Sequence, residues 1–119
     1  MEATRQFPTM PASVTSARHF VRNLLLQAGR PDALIDQAEL LISELTTSAV
    51  LHAHSGFSVR VTSGDAVVRL EVSDTRPSLP AAPDRSGEPK LSLYLLEAMA
   101  DRWGWDPTPD GKTVWCELR

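Results

Sequence analysis

The chain lacks the features that would mark it as a disulfide-rich, membrane or secreted protein. Cys116 is its only cysteine, so no disulfide can form within the chain. No apolar run approaches the roughly 18 residues that a membrane-spanning helix needs. Residues 1–5 also lack the basic and then apolar layout of a signal peptide. We therefore expect a cytoplasmic protein without a membrane segment.

Clustered positive charge is also missing. The chain carries 12 Lys and Arg against 15 Asp and Glu, which gives a formal net charge of −3, and its basic residues form no run. Surfaces that bind DNA or RNA need clustered Lys and Arg to neutralise phosphates. We therefore expect no direct nucleic-acid partner.

What the chain does have is an apolar content of 42% in 119 residues. This is enough for one buried core, and the length is too short for two. We treat residues 1–119 as a single domain. Ser13 stands where a helix N-cap would, Gly29 suits the end of that helix, and Pro31 fits the start of the next.

The spacing of apolar residues predicts three helices and five strands. The helices are expected at about 14–28, 31–53 and 90–99, and the strands near 4–7, 57–62, 68–73, 103–105 and 114–118. A proline-rich loop is expected over residues 76–89. This order indicates an α+β two-layer sandwich, with helices on one face of a mixed, mostly antiparallel sheet.

A polar stripe lies along the second predicted helix. Glu44, Ser48 and His52 recur every four residues and so share one side of the helix. A carboxylate and a hydroxyl one turn apart are capable of metal or water chemistry, whereas a polar stripe on an arbitrary helix is usually a solvated face. The pattern alone leaves both interpretations open.

The segment Glu44-Leu45-x-x-Ser48-Ala49-x-x-His52 resembles the Glu-Leu-x-x-Asn-Ala-x-x-His box of the GHKL, or Bergerat-fold, ATPases. It is most similar to that of the small actinobacterial anti-sigma-factor serine kinases. Four other segments match in the family's order, so the resemblance covers nearly the whole chain. They lie at residues 7–18, 72–74, 97–104 and 111–115. The resemblance implies a histidine-kinase-like ATPase fold of Bergerat type.

The resemblance also implies a role for each residue of the box. In that family the glutamate is the general base, and the asparagine coordinates the magnesium that bridges the nucleotide phosphates. Glu44 keeps the glutamate, but Ser48 replaces the asparagine with one oxygen on a shorter arm. Because magnesium demands tight octahedral geometry, Ser48 is a weakened metal ligand.

Four further positions complete the ATP pocket that the resemblance implies. Asp74 matches the aspartate that accepts a hydrogen bond from the adenine amino group, although a turn-forming Asp would suit the end of a strand equally well. Thr113 aligns with a threonine near the phosphates. Lys90 and Ser92 replace two glycines whose bare backbone approaches the phosphates. Lys90 either supplies a positive charge there or is a solvated residue at the helix start.

By resemblance, the chain is a partner-switching regulator. Such an anti-sigma-factor-like protein binds a sigma factor, a STAS-type anti-anti-sigma protein, or both, and many members form homodimers near the first helix. Because Ser48, Lys90 and Ser92 all depart from the family pattern, we expect binding of ATP and Mg²⁺, and with it kinase activity, to be impaired or lost.

Two alternatives stay open. The first is an active serine-protein kinase that phosphorylates a STAS antagonist, with Glu44 as base, Ser48 as metal ligand and Lys90 as phosphate clamp. The second is a scaffold module of another sensory system, although the sequence has no phospho-acceptor helix.

Overall fold

The structure is a computed structural model that describes residues 1–52, 56–74, 91–109 and 111–119. It contains the elements predicted from the sequence, in the predicted order. These are β1 (Glu2–Phe7), α1 (Ala12–Gln27), α2 (Asp32–His52), β2 (Phe57–Ser63), β3 (Val68–Asp74), α3 (Leu91–Met99), β4 (Arg102–Pro107) and β5 (Lys112–Leu118). The predicted loop of residues 76–89 lies outside the described residues.

The five strands form one sheet in the order β1-β2-β3-β5-β4. Every pairing between neighbours is antiparallel. The α+β fold class is therefore confirmed, with a sheet that is antiparallel throughout the described strands. β5 lies between β3 and β4 in the sheet. Asp74, the last residue of β3, is paired in register with Lys112, the first residue of β5.

The helices cover one face of the sheet. Alternate residues of the three central strands turn toward the helices and are buried, and each contributes about 1.5–3 kcal/mol relative to an exposed position. They are Phe57, Val59, Val61, Val68, Leu70, Val72, Val114, Cys116 and Leu118. The apolar rows of α1 and α2 pack onto them with Ala17, Val21, Leu25, Leu41, Leu45 and Ala49.

The thiol of Cys116 belongs to this core. Burial raises its pKa to about 12, because the apolar surroundings disfavour the thiolate. The residue therefore remains a protonated, inert thiol at neutral pH, as its place in an apolar alternation predicted.

Only the N-terminal end of α1 differs from the sequence-based expectation. Pro11 rather than Ser13 occupies the N-cap position, and the Ser13 hydroxyl donates to the carbonyl of Pro8 at 2.7 Å. The expected N-cap role of Ser13 is therefore wrong, because its hydroxyl binds the chain that precedes the helix. At the other end, Gly29 has a φ of 73° and stops the helix as expected.

Among the described residues, the opposite face of the sheet carries charged side chains and no helix. Arg69 lies at the centre, with ion pairs to Glu71 at 3.5 Å and Glu117 at 3.2 Å. Its guanidinium group also stacks over the ring of Trp115, 4.2 Å from the ring centroid. The row continues outward through Arg60, which pairs with both Glu71 and Glu2, and through Arg102, which pairs with Glu117.

The helices of the described ranges leave no candidate for a membrane span, since none is both long enough and apolar enough. This is in line with the absence of a long apolar run in the sequence.

Candidate functional site

The end of β3 and the start of β5 place two charged residues opposite each other. Asp74 is the last residue of β3 and pairs in register with Lys112, the first residue of β5. Each stands two residues from a buried valine, Val72 or Val114, and therefore shares the sheet face that the helices cover. Both side chains are buried, with 8% of Asp74 and 4% of Lys112 exposed.

The two side chains form a two-pronged ion pair. Lys112 Nζ donates to Asp74 Oδ1 at 2.9 Å and to Oδ2 at 3.0 Å, so the ammonium group lies directly in front of the carboxylate. Hydrogen bonds between two charged groups are about twice as strong as those between neutral groups. A buried charge without its partner costs about 3–5 kcal/mol, which makes either residue hard to separate from the other. The carboxylate assigned by resemblance to adenine therefore already holds a cation.

Lys112 was absent from the candidates predicted from the sequence. Its signal was present in the pattern of β5, where Lys112 has the same parity as Val114, Cys116 and Leu118 and so must face inward. An inward-facing lysine at the start of an apolar strand requires a buried anion. Asp74 has the inward parity in β3, but the pairing of β3 with β5 was needed to connect the two.

Thr113 is not brought together with Asp74. Its hydroxyl lies 2.7 Å from that of Ser73, its partner in register. Both residues alternate with inward-facing ones, so this contact lies on the sheet face away from the helices. The structure thus separates two residues that the resemblance placed in one pocket.

Glu44 and Ser48 lie on α2 as the four-residue spacing predicts. Both are half-buried, beside the buried residues Leu45 and Ala49. Among the described side chains, neither makes a hydrogen bond or an ion pair. α2 packs against both β3 and β5, so the stripe borders the same layer as the Asp74–Lys112 pair. Neither Glu44 nor Ser48 makes a hydrogen bond to the pair.

Two further candidate positions fall where the structure gives no side chain. Lys90 lies outside the described residues, and Ser92 is described only as part of the backbone of α3. Their predicted contact with phosphates remains a sequence-based expectation. The same holds for the side chain of His52 at the end of α2.

The described residues fit an adenine nucleotide with magnesium poorly. Adenine would need the Asp74 carboxylate, which Lys112 covers from the front at hydrogen-bond distance. Magnesium prefers several oxygen ligands in an octahedron, whereas the stripe on α2 offers one carboxylate and one hydroxyl. Nowhere in the described ranges do three or more His, Cys, Asp or Glu residues group in a way that could hold a metal ion.

The fold is found in a solved structure. The crystal structure of the RsbU and RsbW domains of Rv1364c from Mycobacterium tuberculosis superimposes with a TM-score of 0.79 over 100% of this chain, at 20% sequence identity. This chain spans only 32% of the length of that one. At this identity, the likeness concerns the fold. A comparison with curated proteins gave no significant match.

A family model gives the assignment. The model of the histidine kinase-like ATPase domain matches residues 7–118, from the end of β1 to the end of β5. Because this match takes in every helix and nearly every strand described above, the chain belongs to the histidine kinase-like ATPase domain family.

Proposed function

We propose that this chain is a cytoplasmic partner-switching regulator that acts by binding proteins, with its ATP binding and kinase activity impaired or lost. Its partners in this proposal are a sigma factor, a STAS-type anti-anti-sigma protein, or both. The family assignment and the fold shared with an RsbW-containing chain support the regulatory part. Homodimerisation near α1, which the resemblance implies, is included in the proposal.

The observation that carries the loss of nucleotide binding is the buried Asp74–Lys112 pair. It concerns the base end of the pocket that the resemblance implies, whereas Ser48 and the two lost glycines concern the phosphate end. A carboxylate bound face-on by an ammonium group is a poor acceptor for the neutral amino group of adenine.

The apolar row of α1 packs inside the protein and is not available for a dimer contact. Ala17, Val21 and Leu25 are completely buried against the sheet. Leu26 is the large apolar residue of α1 that is exposed, to 46%. A homodimer contact on α1 would therefore rest on Leu26 and its polar neighbours and not on the apolar row.

An active serine-protein kinase is the second candidate, because the Glu44 carboxylate is half-exposed and unpaired among the described side chains. A general base needs such access to the hydroxyl that it activates. In this case Glu44 would act directly on the serine of the STAS partner.

One experiment tests the proposal against this alternative. The protein is incubated with a panel of sigma factors and STAS proteins, with and without radiolabelled ATP and Mg²⁺, and both complex formation and label transfer are measured. We expect a complex with at least one partner, equal affinity with and without ATP, and no label on any protein. Label transfer that disappears in Glu44→Ala would establish the kinase, and the absence of any complex across the panel would overturn partner binding.

A further inference from the structure

We propose that the outer edge of β1 and the cleft beside it bind an extended, acidic peptide segment of a partner protein, which joins the five-stranded sheet as an additional strand. The inference rests on the proposed function, since it names a surface by which a protein partner is held. It uses none of the residues that the resemblance assigns to the ATP pocket.

β1 is one of the two edge strands of the sheet. It exchanges hydrogen bonds with β2 at alternate residues, beginning with Met1, whose backbone nitrogen and oxygen lie 2.9 and 2.7 Å from the backbone oxygen and nitrogen of Ser63. The residues in between point their backbone groups the other way. The N–H and C=O groups of Glu2, Thr4 and Gln6 therefore face the outer edge, where no described strand lies.

Such an edge is a template for an extended peptide. Hydrogen bonds between the main chains give affinity, and the side chains that alternate along the added strand give specificity. β1 contains no proline, whereas β4 at the other edge ends in Pro107, which has no N–H to donate. β1 is therefore the edge that is better suited to strand addition.

A cleft of about 300 Å³ lies between β1 and α1, beside this edge. Two of its residues contribute apolar side chains, the others contribute guanidinium, imidazole, amide and hydroxyl groups, and none is acidic. The residues that line this β1–α1 cleft are Arg5, Ser16, His19, Phe20, Asn23 and Leu24.

Arg5 supplies the positive charge of the cleft. It is paired in register with the buried Val59, so its side chain lies on the side of the sheet that the helices cover. The guanidinium group stacks over the ring of Phe7, 5.2 Å from the ring centroid, and makes no hydrogen bond or ion pair among the described residues. Because a stacked guanidinium group keeps its fork of N–H donors accessible at the rim, Arg5 is suited to a carboxylate.

The register of an added antiparallel strand brings one side chain against Arg5. Since the backbone groups of Arg5 point to β2, the residue opposite it on the added strand belongs to a non-hydrogen-bonded pair, with Cα atoms about 4.5 Å apart and side chains at their closest. Asp or Glu at that position meets the guanidinium group. Residues two positions away lie on the same side, so the peptide that fits has a carboxylate flanked at this spacing by apolar side chains.

Arg5 also disfavours a second copy of β1 as the occupant of the edge. Two antiparallel copies related by a twofold axis would have both Arg5 side chains on the same side of the joined sheet, where like charges repel. A carboxylate in the same place is attracted. Charge complementarity therefore favours an acidic peptide over pairing with a second copy.

Peptide selection on the intact protein tests the charge of the site. Random linear peptides of about ten residues, long enough for one strand, are selected by display, and their binding is then measured by fluorescence polarisation. We expect the selected peptides to share a carboxylate with apolar residues two positions away. Arg5→Gln should weaken their binding at least about tenfold. Arg22→Gln is the matched control, since it removes a cation of α1 that pairs with Glu39 outside the cleft, and it should change nothing.

Thr4→Pro tests the edge. It removes an N–H group that faces away from β2, so the pairing of β1 with β2 is kept while an added strand loses a partner. We expect binding to weaken at least about tenfold, with Thr4→Val as the control that keeps the N–H group. If Thr4→Pro does not fold, methylation of the peptide's own backbone nitrogens gives the same test. Methylation of one alternate set should abolish binding and methylation of the other should not, because an added strand pairs through one side only.

The inference would be overturned if no peptide is selected, if binding survives Arg5→Gln, or if it is insensitive to Thr4→Pro and to alternate methylation. A second copy on the edge would also overturn it, and sedimentation would show this as a wild-type dimer that Thr4→Pro converts to monomers.

Failure of the inference is distinguishable from failure of the proposed function. A protein that selects no peptide but forms a complex with a sigma factor or a STAS protein would leave the proposed function intact. Selection of acidic peptides without a complex across the panel of partners would overturn those partners and leave the peptide site in place.

Discussion

At the scale of single residues, the end of the sheet is governed by a pair of opposite charges inside the protein. Asp74 and Lys112 are each stabilised by the other, and their hydrogen bonds offset the loss of water that burial imposes. Such a pair adds little net stability compared with apolar residues of similar volume, although breaking it is costly. We therefore expect the ion pair to affect ligand binding at this end of the sheet more than it affects stability.

This balance predicts a strongly non-additive mutant cycle. Lys112→Met and Asp74→Leu should each lower the free energy of unfolding by about 3–5 kcal/mol, since each removes one partner of a buried ion pair. The double variant Asp74→Leu/Lys112→Met should cost far less than the sum, because neither charge remains. Urea unfolding of the four proteins measures the cycle. A double variant that costs as much as both single changes together would contradict the paired arrangement.

The same two residues show how far sequence reasoning reached at the site. Asp74 was found by resemblance, and its inward direction followed from the alternation of β3. Lys112 could have been found from the parity of β5, but nothing local says which buried anion it meets. The pairing of β3 with β5 joins positions 38 residues apart in sequence, and such long-range register is decided by the whole sheet and not by any one segment.

At the scale of elements, the two faces of the sheet differ in what stabilises them. The helix-covered face is apolar, and its strands and helices were predicted from periodicity because burial imposes that periodicity. The uncovered face depends on cross-strand pairs of opposite charge centred on Arg69. Alternating polar residues were visible in the sequence, but which charges pair depends on the strand order, and this came only with the structure.

The central position of Arg69 predicts a measurable effect on stability. Arg69→Ala removes ion pairs to Glu71 and Glu117 and the stacking on Trp115. We expect it to lower the free energy of unfolding by about 1–2 kcal/mol, because the side chain is partly exposed and each contact is worth a fraction to about 1 kcal/mol.

Thermal unfolding at low and at high salt gives the measurement and its control. Arg60→Ala, at the more exposed end of the row, should have a smaller effect. Raising the salt concentration should reduce the cost of Arg69→Ala, since mobile ions screen partly exposed charges. A cost for Arg69→Ala equal to that for Arg60→Ala would contradict the central role of Arg69.

At the scale of the whole molecule, the chain keeps the architecture of the histidine kinase-like ATPase domain, while the end of the sheet that the resemblance assigns to the base contains an internal ion pair. The fold depends on the apolar rows and the strand register, and these tolerate changes at the few positions that the resemblance assigns to nucleotide contact. Fold and activity can therefore separate. Five ordered segments of the sequence predicted the fold. Activity is expected to depend on Ser48, Lys90 and Ser92, and on the ion pair of Lys112.

Calorimetric titration of the intact protein with ATP in the presence of Mg²⁺ tests this separation most directly. The account predicts no saturable heat up to millimolar ATP, with ADP and magnesium-free ATP giving the same result. Saturable, magnesium-dependent binding of ATP in the micromolar range would contradict it, because an occupied Asp74 and a weakened ligand at Ser48 could not support such an affinity.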